Sequence, residues 1–174
     1  RETLEKMKTE GLIEKAGVSV YNPEEVEEML KDGLYEAVQL PMNIFDQRIL
    51  KSGLFLSLMK AEIIVFVRSV FLKGLFFLKP EELPERLHMA AGSLRTLQKL
   101  SDREGMSIAQ LAMSFIRDME GVTSLVVGAE TAEQVNEDIK LMEASIIISE
   151  RTRQEINRIF ADVPILDIIK GLSI

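Results

Sequence analysis

The chain contains no cysteine, which excludes disulfides and thiolate metal centres. It has a single histidine, His88, so a histidine-based metal site lacks a ligand set. Its longest apolar runs, such as Ile63–Val67 and Ile146–Ile148, are far shorter than a bilayer crossing requires. The net charge is −7 and the basic residues are scattered among acids. No lysine- and arginine-rich stripe interleaves with aromatics, which argues against nucleic acid as a partner. No apolar signal segment follows the charged Arg1 and Glu2, no initiator methionine is present, and no G-x-G-x-x-G fingerprint follows any apolar run. These absences lead to the expectation of a cytoplasmic protein, away from membranes, trimmed or processed from something longer.

What is present is a strict alternation of short apolar strands and capped helices. With 174 residues, 47% of them hydrophobic, the chain can build one sizeable core. A helix over Glu2–Glu10 stops at Gly11, and a strand follows at Ala16–Val20. Asn22-Pro23-Glu24-Glu25 then reads as a helix start, with a capping asparagine, a proline at the first helical position and Glu25 closing a capping box. A second strand spans Ala37–Asn43 and a helix runs from about Gln47 to Met59. The third strand, Ile63–Val70, is apolar on both faces, as buried parallel strands are. A loop over Phe71–Pro80 leads to a long helix near Glu85–Arg103. Further helices start at Ser107, at Thr131 with Gln134, and after Ser149; the strand Val122–Val127 lies between the first two. The expectation is a single unit, 1–174, with the tail 162–174 loosely packed.

Strands that alternate with helices pair in parallel through right-handed crossovers. Either an open doubly wound sheet or a segment of an eight-stranded barrel fits this alternation. In both, ligands meet the C-terminal ends of the strands. Polar residues inside apolar strands are informative there, because an unpaired buried amide or hydroxyl costs about 1–3 kcal/mol. Gln39 interrupts Ala-Val-Gln-Leu, and Arg68-Ser69 interrupts Ile-Ile-Val-Phe-Val. Taken singly, each is satisfied by neighbouring backbone; together, at ligand-facing ends, they favour a site. The helix start at Thr131, behind Gly128, adds free amides suited to an anion.

Three ordered segments resemble strand ends of the aldo-keto reductase superfamily. They are Gly17-Val18-Ser19-Val20-Tyr21-Asn22-Pro23, Phe66-Val67-Arg68-Ser69-Val70-Phe71-Leu72-Lys73-Gly74-Leu75, and Val126-Val127-Gly128-Ala129-Glu130-Thr131-Ala132-Glu133-Gln134. Their order and spacing match the fifth, seventh and eighth strands over about Thr3 to Pro164. The resemblance selects the barrel: an α/β chain making up about half of a (β/α)8 barrel, strands five to eight plus C-terminal helices. It implies an oxidoreductase that passes a hydride from NAD(P)H to a carbonyl substrate. It places Ser19 and Gln39 at the nicotinamide carboxamide, and Arg68 where many members set a ring against the nicotinamide face. It places Ser69, Phe71, Leu72 and Gly74 along the pyrophosphate, and Gly128, Gln134, Glu137 and Asp138 around the adenosine. Val20 and Asp138 stand where the family often has asparagine, and the choice between NAD and NADP stays open. The aromatic run Phe71–Leu78 offers either an apolar pocket wall or plain loop packing.

The resemblance also implies a catalytic aspartate, tyrosine, lysine and histidine, all in the first half of the barrel and thus outside this sequence. Tyr21 belongs to the cofactor motif, Tyr35 precedes a strand at the opposite end, and His88 falls beside a helix's apolar stripe. None forms the tyrosine–lysine couple that proton donation at neutral pH requires. The chain alone is therefore expected to be inactive and not to exist as a lone monomer, since half a barrel exposes two strand edges. It is expected to pack against the missing N-terminal half or a second copy of itself. The alternative is a non-enzymatic half-barrel serving as a nucleotide-binding or assembly module.

Overall fold

In a computed structural model, residues 1–172 of the chain are described. Four parallel strands, β1 (Gly17–Ser19), β2 (Ala37–Pro41), β3 (Ile64–Arg68) and β4 (Ser124–Val126), lie side by side in sequence order. The register pairs Ser19 with Gln39, Gln39 with Phe66, and Phe66 with Ser124. Each return passes through helix: α2 (Pro23–Asp32), then α3 (Arg48–Lys51) with α4 (Leu54–Lys60), then α5 (Ala91–Glu104) with α6 (Ile108–Arg117). Helix α1 (Glu2–Thr9) precedes β1, while α7 (Ala132–Glu143), α8 (Glu150–Ile159) and α9 (Ile165–Gly171) follow β4. Among the described residues, no helix is long and apolar enough to cross a membrane.

Because side chains alternate along a strand, the register sorts the sheet into two unlike faces. Val38, Leu40, Val65 and Val67 are fully buried against the helices. The other face carries Ser19, Gln39, Phe66, Arg68, Ser124 and Val126, none of them buried. The two-sided apolarity of β3 thus corresponds to one covered face and one open face. The core behind the sheet is closed by Phe45, which meets Phe76 at 4.9 Å and Phe160 at 5.0 Å between ring centroids.

Caps fall where the sequence puts them. The hydroxyls of Ser107, Thr131 and Ser149 accept the amides of Gln110, Gln134 and Thr152 at 3.1, 3.2 and 3.1 Å. Glu25 accepts the Asn22 amide at 3.0 Å, the carboxylate half of a capping box. Three expectations differ. The helix from Gln47 to Met59 is two helices, because Gly53 takes φ 75° and breaks the ladder between them. The long helix at Glu85 opens as a 3-10 segment, Glu85–Ala90, before α5 begins. The tail 162–174, expected to be loosely packed, forms α9, which buries Ile165 and Ile168; Arg86 Nε also donates to the Gly171 carbonyl at 2.8 Å. Residues 173 and 174 of that tail lie outside the described residues.

Candidate functional site

The C-terminal ends of the strands all open on the same side, as parallel pairing requires. Two hollows lie there. One is a cleft of about 900 Å³ between the loop after β3 and the start of α7. The other is a chamber of about 180 Å³ beneath α9, lined by Tyr21, Asn43, Asp46, Arg48, Leu72 and Leu166 among others. Arg68 and Ser69 border both.

Arg68, Ser69, Phe71, Gly74, Gly128, Gln134, Glu137 and Asp138 are brought together around the larger cleft. Ser19 and Gln39 are not among its lining residues. They sit on the open face of the sheet and touch each other, Ser19 Oγ donating to Gln39 Oε1 at 3.2 Å. Leu72 also departs from the group: its side chain is buried and borders the smaller chamber. The aromatic run divides, with Phe71 and Phe77 in the cleft, 5.2 Å apart between centroids, and Phe76 in the core.

The loop after β3 has an unusual backbone. Ser69 (φ 63°), Leu72 (φ 47°) and Lys73 (φ 53°) all take left-handed conformations, followed by Gly74 at φ 83°. For residues with a Cβ this geometry costs about 1 kcal/mol or more each, so it persists only where the surroundings fix it. Asn43 is one such anchor, its Nδ2 donating to the Ser69 carbonyl at 3.0 Å. The Asn43 Oδ1 in turn takes the amides of Phe45 and Asp46, both at 2.9 Å.

Arg68 is held in place at the mouth. Its guanidinium stacks 4.3 Å above the Tyr21 ring, and Nη2 donates to the Val20 carbonyl at 3.1 Å. Beneath the stack, Arg48 grips the buried Asp46 through two bonds of 2.8 and 2.9 Å. That pairing, more than any other contact, raises the Arg48 guanidinium above its ordinary range. Arg48 also donates to Asn22 Oδ1 at 3.1 Å and to the Tyr21 carbonyl at 3.2 Å. Glu25 is held below the usual carboxylate range by the amides of Tyr21 and Asn22.

The opposite wall is acidic. At the start of α7, Gln134 Oε1 accepts the Glu130 amide at 2.6 Å and folds the turn onto the helix. Glu137 and Asp138 follow on the next turn. Partial burial raises the Asp138 carboxyl, and the neighbouring Glu137 charge raises it further.

Sequence reasoning missed Asn43, Asp46 and Arg48 as supports of the site. The available signal was polarity in a segment, Met42–Ile49, that is otherwise apolar and buried. Of the other candidates weighed for proton chemistry, Tyr21 is 62% exposed beside Arg68, Tyr35 packs at the far end of β2, and His88 Nε2 faces the Leu83 carbonyl at 3.0 Å. Among the described residues no acidic or histidine cluster could hold a metal ion.

Comparison with known proteins agrees with this geometry. Two curated relatives named L-glyceraldehyde 3-phosphate reductase are similar. The one from Escherichia coli O157:H7 is 27% identical over 154 residues, covering 72% of this chain and 43% of its own length. The one from strain K12 is 24% identical over 172 residues, covering 84% and 49%. The chain thus spans about half the length of the curated relatives it matches. Among solved structures, aldo-keto reductase AKR11C1 from Bacillus halodurans superposes with a TM-score of 0.74 at 24% identity, covering 90% of this chain and 54% of that one. The glycerol dehydrogenase AKR11B4 from Gluconobacter oxydans gives 0.68 at 18%, covering 92% and 53%. These likenesses show that the four strands and their helices correspond to about half of such a barrel. The family model for aldo/keto reductases matches residues 2–159, and the chain belongs to the aldo/keto reductase family.

Proposed function

We propose that the chain is the C-terminal, cofactor-binding half, strands five to eight, of an NAD(P)-dependent aldo/keto reductase. The observation that carries this reading is the convergence of Arg68, Ser69, Gly74, Gly128, Gln134 and Asp138 on one cleft at the strand ends. A cleft of about 900 Å³ lies within the roughly 300–1,000 Å³ typical of small-molecule sites. Its β3 wall, with Arg68 and the left-handed turn at Lys73 and Gly74, suits a pyrophosphate. Its far wall, closed by the capped start of α7, suits an adenosine. A nicotinamide held in this cleft would supply a hydride to a carbonyl carbon. Arg68, stacked on Tyr21, provides a flat platform for the ring, while Ser19 and Gln39 offer a hydroxyl and an amide on the same sheet face.

The far wall also supports NAD over NADP. Glu130, Glu137 and Asp138 line it, and a ribose 2′-phosphate there would face like charge. Free ribose hydroxyls would instead find acceptors.

No group in this half serves as proton donor in the reading. Tyr21 is committed to the Arg68 stack, and Tyr35 and His88 lie away from the cleft. The open sheet face and its two edges are the place for a complementary half-barrel; the missing first half would bring the donor, whereas a second copy of this chain would cover the face without supplying one.

Fluorescence titration with NADH and NADPH tests the cradle, with tighter binding of NADH expected. Turnover tests the rest. The chain alone should not oxidise NADH with an aldehyde panel that includes L-glyceraldehyde 3-phosphate, and activity should appear once a complementary half is added. Failure to bind either dinucleotide, or turnover by the chain alone, refutes the reading.

A further inference from the structure

Helix α7 forms one wall of the cleft, yet it buries no residue. Apolar packing therefore does not fix its place, and something else must. The cause lies at its C-terminal end. Arg117, the last residue of α6, spreads its guanidinium across the carbonyls that close α7 and those of the irregular segment behind it. Nη1 donates to Leu141, Met142 and Ala144 at 3.2, 3.2 and 2.8 Å, and Nη2 to Ile146 at 2.8 Å. Asp118 holds the guanidinium from the other side at 2.6 and 2.9 Å. Gln110 adds a bond to the Leu141 carbonyl at 3.2 Å and Ser114 one to Ile146 at 3.2 Å. The donors all project from α6, whose buried stretch Gln110–Ile116 anchors it in the core.

A cation fanned over the final carbonyls of a helix satisfies acceptors that have no intrahelical donor and opposes the negative end of the dipole. Arg117 does both for α7. Leu141 links this latch to the site, since its carbonyl is gripped while the residue itself lines the cleft one turn beyond Glu137 and Asp138.

We propose that Arg117 is a positioning residue. By latching the end of α7 to α6 it sets where Gln134, Glu137 and Asp138 stand in the cleft, and so governs affinity for the adenosine end of the dinucleotide. This rests on the cofactor reading above. The geometry favours arginine specifically, because a lysine ammonium has three donors and no planar fork with which to cover four carbonyls and a carboxylate.

The test uses the whole chain with Arg117→Lys, which keeps the charge, and Gln110→Met, which removes a secondary donor without touching the arginine. Amide hydrogen exchange without ligand reads the latch. In Arg117→Lys the α7 amides should exchange about tenfold faster while those of α5 and α6 stay unchanged. Titration reads the coupling. NADH should bind about tenfold more weakly to Arg117→Lys, within the usual range of coupling between sites, while nicotinamide mononucleotide, which lacks the adenosine, should bind as to the parent chain. Gln110→Met should shift both readouts in the same direction by a smaller factor. Unchanged α7 exchange overturns the latch. Faster exchange with unchanged NADH affinity overturns the positioning role, as does an equal loss for both ligands. If the parent chain binds no dinucleotide at all, the cofactor reading falls and the positioning role with it, while the exchange data still decide whether the latch exists.

Discussion

Helices α6 and α7 are neighbours of similar length and opposite character. In α6 every residue from Gln110 to Ile116 is buried. In α7 none is, although Val135, Ile139 and Met142 recur at helical spacing and are 47%, 47% and 40% exposed. Such a stripe normally faces a core. Helix α1, at the other flank of the sheet, likewise buries nothing. The interior of the molecule is thus finished and its two flanks are not. In the half-barrel reading, those flanks are the seams where a second set of strands and helices would close the ring.

The largest effect that sharpens this contrast lies in α6. Replacing Phe115, fully buried, with alanine should cost about 3–5 kcal/mol in urea denaturation, the usual range for an aromatic removed from a core. Ile139→Ala in α7 should stay within about 0.5 kcal/mol, as exposed substitutions do. Equal losses at the two sites would mean that α7 is covered in solution, and the contrast would break.

A smaller, concentration-dependent effect tests what covers α7. The wild-type chain should associate in sedimentation velocity runs at micromolar concentration, because exposed apolar stripes and open strand edges favour contact. The pair Val135→Glu and Ile139→Lys, an i, i+4 arrangement that slightly favours the helix itself, should shift the distribution toward monomer without loss of helical signal in far-UV circular dichroism. A wild-type chain that sediments as a compact monomer and binds no apolar dye would remove the need for a partner.

How much of this was legible beforehand follows from how local each feature is. The caps at Ser107, Thr131 and Ser149 depend on residues three apart, and the sequence located all of them. The parallel alternation depends only on periodicity, and it too was visible. The stack of Arg68 on Tyr21 joins the end of β3 to the loop after β1, and the Asp46–Arg48 pair matters because of where the chain folds over it, so neither had a local signature. The left-handed turn at Leu72 and Lys73 was hidden for a stronger reason. Neither residue favours that conformation, and the surrounding contacts impose it against local preference. Leu72 shows the consequence. Its side chain packs into the core and borders the smaller chamber, not the larger cleft.

The smallest predicted effect concerns charge on the α7 wall. Burial and then Glu137 raise the Asp138 carboxyl above its ordinary value, so the folded chain holds this proton more tightly than the unfolded one. The associated stability is fully present below the unfolded carboxylate range and is lost as pH rises through the folded value. At neutral pH the ionised Asp138 is therefore a mild burden on the fold. Asp138→Asn should raise the melting temperature slightly at pH 7, by less than about 1 kcal/mol in equivalent stability after solvent screening, and the gain should vanish as pH falls below the carboxylate range. A gain that is the same at pH 3 and pH 7 would assign the effect to the amide's hydrogen bonds instead of to removed charge. The same substitution relieves repulsion on the wall assigned to the adenosine, so it should narrow the preference for NADH over NADPH. A preference untouched by Asp138→Asn would place the selectivity with Glu130 and Glu137, the other carboxylates lining that wall.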